Sequence, residues 1–400
     1  MSQALIRRPW QAILAAILLF FLVLLISKSH VHSGIPSTLG FSQSGLSSPV
    51  AINQTLGFQQ IFVVSLPERT DRRDSMILAT ALSDIKFDFI DAIHGDQVPD
   101  RAIPFGTGRS AAGGDSNIGS WRAHMNAISE VVRRNLTTAL ILEDDADWDI
   151  RIKDQLYDFS RSSRALIQPL ASDSRAYADS TYPTPSSPDA LPSKDLDFYD
   201  LPSTLQPSKS PYGDEWEMLW LGHCGMNFPV KGMGGDGRAD LIPKGRVVRL
   251  DDQTVPETQF MYSVSEVKDL TQYPNHTRVV SHAGDGICSL GYAVTQASAR
   301  RLSYHLGVTE ITGQFDIMLK QFCDGTAGKG HHNCLTVRPG LFQHHRPAGL
   351  KAYNSDISDH GQEVRKKARS DNLRWPVRTN FDALLAGTTD YKDQFPDTAG

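Results

Sequence analysis

Three short apolar runs separated by helical stretches constrain this chain more than any other feature. Ile61-Phe62-Val63-Val64-Ser65-Leu66 stops at Pro67, Phe87-Asp88-Phe89-Ile90 stops at Asp91-Ala92, and the run 138–143 stops at Glu143. Short runs of this kind, bounded by turn residues, read as buried strands. Between them, Met76, Ile77, Thr80 and Ala81 fall near one face of a helix. Trp121, Met125, Ile128 and Val132 recur at i, i+4, i+7 and i+11, which predicts an amphipathic helix over 120–134. Strand, helix, strand, helix, strand predicts an α/β domain with mainly parallel pairing. In open α/β sheets, ligands bind at the carboxyl ends of the strands.

The third run carries an unusual end. Residues 139–149 read ALILEDDADWD, four apolar residues leading directly into Glu143, Asp144, Asp145 and Asp147. Carboxylates that close resist ionising beside one another. A divalent cation relieves such crowding, and one or two carboxylates with substrate phosphates form the usual ligand set of Mg²⁺ or Mn²⁺. The competing reading is a solvated acidic turn in which Asp147 or Asp149 caps the next helix. The spacing is not that of an EF-hand, and the chain has no G-x-x-x-x-G-K-[ST], H-E-x-x-H or G-x-S-x-G motif.

Beyond the acidic run, 150–170 reads as a helix with Ile152, Leu156, Phe159, Ser163 and Leu166 in phase. In the next stretch, 171–211, 16 of 41 residues are Ser or Pro, a composition that predicts a disordered surface insert. Strands are expected over 216–222, 245–250, 287–294 and near 335–345, and a helix over 297–306 that Gly307 ends. Residues 95–117 read as a Gly- and Pro-rich loop.

Residues 9–27 carry no charge, follow Arg7 and Arg8, and precede Lys28. The run is about the ~20 residues that cross a bilayer, and the arginines favour a cytoplasmic N-terminus. The alternative is a cleaved signal peptide, with Val31-His32-Ser33 at the cleavage site. The expected organisation is therefore a cytoplasmic tail 1–8, a signal anchor 9–27, a stem 28–58, a main α/β domain 59–350 and a C-terminal extension 351–400. This is the topology of a single-pass type II membrane protein, with its main domain lumenal or external. The formal net charge of −5 gives no general attraction to nucleic acid. The sequence leaves the oligomeric state unknown.

That compartment gives meaning to three sequons, at Asn53, Asn135 and Asn275, and to four cysteines. Four cysteines allow three pairings. Cys323 with Cys334 encloses a short loop and leaves Cys224 with Cys288. A zinc site of Cys323, His331 or His332, and Cys334 is the alternative, although its spacing fits no common zinc pattern.

IFVVSLPERTDRR at 61–73, FDFIDAIHG at 87–95, IGSWRAHMNAI at 118–128 and LILEDDAD at 140–147 together resemble glycosyltransferase family 25. WEMLWLG at 216–222, GYAVTQASARRL at 291–302 and Phe315-Asp316-Ile317-Met318 continue the resemblance over 61–345. The family includes bacterial lipooligosaccharide sugar transferases and animal collagen galactosyltransferases. The resemblance implies a GT-A fold, a UDP-sugar donor, a metal at the acidic motif, and inversion at the anomeric carbon. One departure is that Ser120 and His124 stand four residues apart where the family has an adjacent Ser-His pair. His124 shares a face with Trp121 and Ile128 and reads as a packed histidine.

On this resemblance, Asp145 ligates the metal with Glu143 or Asp144 assisting, and His344 or His345 supplies a late-strand ligand. The alternative for the histidines is two partly exposed strand-end residues. Ser65, Leu66, Arg69 and Asp91 stand where the nucleotide base or ribose lies, while Arg72 and Arg73 read as solvated cations on the following helix. Inversion needs a general base on the acceptor hydroxyl. The candidates are Asp316 and, in a Gly-flanked loop, Asp285. The expected function is a metal-dependent transferase moving a hexose, galactose favoured, from a UDP-sugar to a glycan or glycoprotein. Its rivals are a catalytically inactive lumenal sugar-binding protein and a metal-dependent phosphate-ester hydrolase.

Overall fold

The computed structural model describes residues 52–104, 108–192, 194–231, 239–262, 267–357 and 361–398. The chain divides into a unit spanning Met1–Ser48, wholly outside the described residues, and a unit spanning Pro49–Gly400. The expected cytoplasmic tail, anchor and most of the stem therefore lie outside the described residues. Among the described residues no helix is long and apolar enough to cross a membrane.

The strands are β1 (Gln60–Ser65), β2 (Asp88–Asp91), β3 (Thr138–Glu143), β4 (Ala146–Trp148), β5 (Leu196–Asp197), β6 (Met218–Gly222), β7 (Arg246–Arg249), β8 (Arg278–His282), β9 (Gly291–Thr295), β10 (Cys334–Arg338) and β11 (Phe342–Arg346). Nine of them form one sheet in the order β2-β1-β3-β9-β6-β10-β8-β7-β5. The alternating pattern of the sequence yields the expected parallel pairing of β1 with both β2 and β3. Antiparallel β9 sits between β3 and β6, and β6 pairs parallel with β10. The result is a mixed α/β domain built on a large central sheet.

Why the strand cores are apolar throughout follows from what covers them. Ile61, Val63, Leu140 and Leu142 belong to the core on one face of the sheet. Phe62, Val64, Ala139 and Ile141 belong to the core on the other. Alternate side chains thus enter two separate cores, so the interior positions 61–64 of β1 and 139–142 of β3 are all apolar, and polar residues stand only at the strand ends. The helix Asp115–Arg133 begins five residues before its expected start, and buries Ile118, Trp121, Met125 and Ile128. The helix Ile152–Ile167 matches the periodicity read over 150–170.

Four expectations are corrected. The stem does not run to residue 58: Leu56 and Phe58 are buried, and Phe58 stacks on Tyr212 with ring centroids 4.9 Å apart. The Ser/Pro-rich insert 171–211 is ordered around polar anchors that composition does not reveal. Buried Asp179 accepts from the Thr181 and Gly245 amides, Phe198 is buried, and Leu196–Asp197 joins the sheet edge as β5. Gly307 does not end its helix, since Gln296–Leu302 continues as a wider π-helical turn through Thr309. The extension 351–400 is no appendage either. Leu373 and Val377 are buried, and the Arg369–Ser370 strand pairs with β11. Three strands, β4, β5 and β8, and the helix Phe315–Asp324 were not foreseen, and the one strand expected near 335–345 is two, β10 and β11.

Candidate active site

At the carboxyl end of β3 the chain turns at Asp144-Asp145 into β4, which pairs antiparallel with β11. The register sets His344 opposite Ala146, and the His345 amide donates to the Asp145 carbonyl at 2.8 Å. This pairing carries His344 from the far end of the sequence to the acidic turn. Glu143, Asp145 and His344 then present ligand atoms all within 4.8 Å of one another. The three residues line a cavity of about 450 Å³ together with Ser65, Leu66, Arg72, Asp316 and others.

The four clustered carboxylates have separate fates. Asp144 accepts from Arg72 Nη1 at 2.7 Å and from Ser65 Oγ at 2.8 Å. Burial nevertheless pushes its carboxyl up from the usual range, against the pull of Arg72. Asp147 is fully buried and structural, accepting from Ser370 Oγ at 2.5 Å and from the Arg378 amide at 3.2 Å. Burial opposes ionisation of Asp145, but the His344, Arg72 and Arg346 charges outweigh it and hold the carboxyl down at about 2. Arg346 Nη1 stands 3.6 Å from it. Burial also opposes ionisation of Glu143, whose pKa is lowered on balance by a hydrogen bond from His124. The like-charge crowding read in the sequence is thus partly relieved by arginines.

Does this cluster fit a divalent cation? Two carboxylates and one imidazole are a donor set suited to Mn²⁺ and, with fewer nitrogen contacts, Mg²⁺. Buried Asp145 Oδ1 has no hydrogen-bond partner among the described residues, and a buried polar oxygen left so is rare without an ion or water to satisfy it. The residues fit.

Around the triad, Ser289 Oγ donates to Glu143 Oε1 at 2.8 Å, and His124 Nε2 stands 3.2 Å from that hydroxyl. His124 is buried as expected and stacks on Phe315 at 4.3 Å, yet it also lines the cavity. One helical turn sets Ser120 on the same cavity-lining face. Asp316, in the first turn of the helix Phe315–Asp324, lines the cavity, and its Oδ2 accepts from the Cys288 amide at 2.9 Å.

Several sequence candidates stand elsewhere. His345 faces Ser370 Oγ at 3.0 Å and Asp147 at 3.6 Å, on the opposite side of β11 from His344, because strand side chains alternate. Asp285 is held by Lys320 and by Asn227 Nδ2, the latter at 2.8 Å, and is not among the residues lining the cavity. Asp91 pairs with Arg73 and lines a separate, shallower cleft with Asp88 and Arg134. Arg69 is not among the lining residues; it pairs with Asp71 and with Asp356, which does line the cavity. Arg72, read as solvated, instead reaches the site, one helical turn on from Arg69. Arg346, Ser289 and Gln343 also line the site and carried no signal, since nothing local marks a residue whose partner is far away in sequence.

Both disulfides expected from the spacing are formed, Cys224–Cys288 and Cys323–Cys334, which removes the zinc alternative. The sequon asparagines Asn53, Asn135 and Asn275 are all exposed.

Residues 58–179 match the family described as Glycosyltransferase family 25 (LPS biosynthesis protein). The chain is 29% identical over 114 residues to human Inactive glycosyltransferase 25 family member 3, covering 25% of this chain and 19% of that protein. It is 26% identical over 121 residues to Procollagen galactosyltransferase 1-A of Xenopus laevis, covering 27% and 19%. It is 26% identical over 114 residues to Procollagen galactosyltransferase 2 of Mus musculus, covering 25% and 18%. The matched segment thus spans about a fifth of each relative's length.

Proposed function

We propose, from the match of residues 58–179 to glycosyltransferase family 25, that the chain is a metal-dependent, inverting hexosyltransferase with a GT-A-like fold. It moves a sugar, galactose favoured, from a UDP-sugar to a hydroxyl of a glycan or glycoprotein acceptor. The preference for galactose rests on the names of the procollagen galactosyltransferases it resembles. The observation that carries the reading is the Glu143–Asp145–His344 triad with its unpartnered Asp145 oxygen, set at strand ends where α/β sheets bind ligands. A complete triad also argues against the alternative of an inactive sugar-binding protein, although two relatives are described as inactive or probably inactive.

Glu143, Asp145 and His344 would hold Mn²⁺ or Mg²⁺, which when bound supplies Lewis-acid stabilisation of a departing diphosphate. Arg72 and Arg346 face the same cavity and add fixed positive charge toward the donor phosphates. Ser65 and Leu66, at the end of β1, wall the donor's nucleotide side. The Asp316 carboxylate takes the proton of the acceptor hydroxyl as its oxygen attacks the anomeric carbon. The bond from that carbon to the diphosphate breaks, and its electron pair leaves with UDP.

On the sequence evidence, the uncharged run 9–27 anchors the protein in a Golgi or endoplasmic reticulum membrane with this site in the lumen. The test is UDP release from a panel of UDP-sugars by the purified protein, with and without Mn²⁺. Release that needs the metal supports the transferase. Binding without release selects the inactive sugar-binding reading, and hydrolysis of simple phosphate esters selects a hydrolase.

A further inference from the structure

Two disulfides of the same chemistry occupy different surroundings. Cys323 and Cys334 are each 2% exposed and join the end of a helix to β10 inside the core. Cys224 and Cys288 are half-buried and line the cavity. Cys224 Sγ lies 3.8 Å from His344 Nδ1. The amide of Cys288 donates to Asp316 Oδ2, and the next residue, Ser289, donates to Glu143. The bridge therefore joins the segment against His344 to the segment that holds Asp316 and Glu143.

The backbone at Cys288 has φ +64°, a left-handed conformation that non-glycine residues adopt only when their surroundings impose it. Two backbone hydrogen bonds support it, from the Cys224 amide to the Ile287 carbonyl at 3.0 Å and from the Ile287 amide to the Gly225 carbonyl at 3.1 Å. The covalent link closes this two-bond ladder. Without the link, Cys288 is free to relax out of the left-handed region, and its amide then turns away from Asp316.

We propose that the Cys224–Cys288 disulfide is a positioning element of the active site, fixing the His344 imidazole and the amide that orients Asp316. The proposal rests on the transferase reading for its effect on turnover, but not for its effect on metal binding. It also gives the site a requirement for an oxidising compartment.

The test compares full-length wild type, C224A/C288A and C323A/C334A by Mn²⁺ affinity (electron paramagnetic resonance), by kcat and donor KM, and by Tm. In C224A/C288A, Mn²⁺ affinity should fall about tenfold or more, as it does when other partners of metal ligands are removed. Its kcat should fall about 10- to 100-fold, the cost of a misplaced catalytic group, with donor KM changed less than about threefold. C323A/C334A should lose Tm while the folded protein keeps wild-type Mn²⁺ affinity and kcat.

Should C224A/C288A fail to fold by circular dichroism, wild type is titrated with a water-soluble phosphine instead. Each disulfide takes two electrons and two protons to become two thiols, and the phosphine becomes its oxide with oxygen from water. The half-exposed bridge opens before the buried one. Mn²⁺ affinity and turnover should fall with the first two thiols per chain and return on reoxidation. Unchanged Mn²⁺ affinity and kcat in folded protein lacking this bridge would overturn the proposal. If wild type binds Mn²⁺ but turns over no donor, the transferase reading fails, and the affinity comparison alone decides the disulfide's role.

Discussion

Asp144 and Asp145 are adjacent in sequence and differ in what they can do. Asp144 is held by Arg72 and Ser65, whereas Asp145 keeps one oxygen without a partner beside Glu143 and His344. Asp145→Asn is expected to lower metal-dependent turnover by about 10²–10³, the scale of losing one strong electrostatic contact to a developing charge. Circular dichroism should show the fold retained. The two histidines separate in the same way. His344→Ala should abolish measurable Mn²⁺ binding, whereas His345→Ala should cost about 1 kcal/mol of stability through its bond to Ser370 and leave Mn²⁺ affinity intact. Calorimetry on both variants checks the contrast, and a reversed result would exchange the roles.

His282 yields a pH prediction. It is buried against Tyr182, and burial, with a lesser contribution from neighbouring His331, holds its pKa down at about 3 against an ordinary 6.5. Below pH 6.5 the unfolded chain binds a proton that the folded chain refuses. The stability is therefore complete above that value and falls as pH drops toward 3, by up to about 1.4 kcal/mol per pH unit. His282→Phe should make denaturation midpoints between pH 6 and 4 less acid-sensitive by roughly one proton's worth. An unchanged slope would mean that other groups carry it. At this scale the sequence announced where the acid cluster lies but not which carboxylate is free. Arg72 and Arg346 choose that, and they arrive from 72 and about 200 residues away in the chain.

At the scale of elements, β1 and β3 were legible because both their faces are buried, so every interior residue, 61–64 and 139–142, signals strand. β4 was not, since its three residues, Ala-Asp-Trp, carry no periodicity and form a strand only because β11 pairs with them. That unforeseen pairing is what brings His344 to Asp145. It also depends on close backbone approach: a Cβ on Gly222 would meet the Gly291 amide and Phe342 Cβ at 2.9 Å and the Phe342 carbonyl at 3.0 Å. Gly222→Ala is accordingly expected to destabilise by about 1–3 kcal/mol and to weaken Mn²⁺ binding by moving β11. Urea denaturation with a parallel metal titration tests both, and loss of stability without loss of affinity would confine the strain to the core. The insert 171–211 misled for the opposite reason. Its order comes from single anchors such as Asp179 and Phe198 rather than from overall apolar content.

Taken as a whole molecule, the domain is completed by its last residues. Arg378 is buried and donates to the Asp144 carbonyl at 2.8 Å, the Val377 amide donates to the Trp148 carbonyl, and the Ile150 amide donates to the Trp375 carbonyl. Deleting 369–400 should therefore expose Trp148 and Asp147 and leave a chain that is readily proteolysed. A truncated protein with wild-type protease resistance would show the segment to be dispensable. On the proposed function, a cation held by Glu143, Asp145 and His344 lets UDP depart from an activated sugar. The most direct test is the rate of UDP release from UDP-galactose by the full-length protein, titrated with Mn²⁺ after chelation, in wild type and Asp145→Asn. No release is expected before Mn²⁺ is added, followed by saturable recovery in wild type and little recovery in the variant. Equal release by both proteins in chelator would contradict that role for the cation.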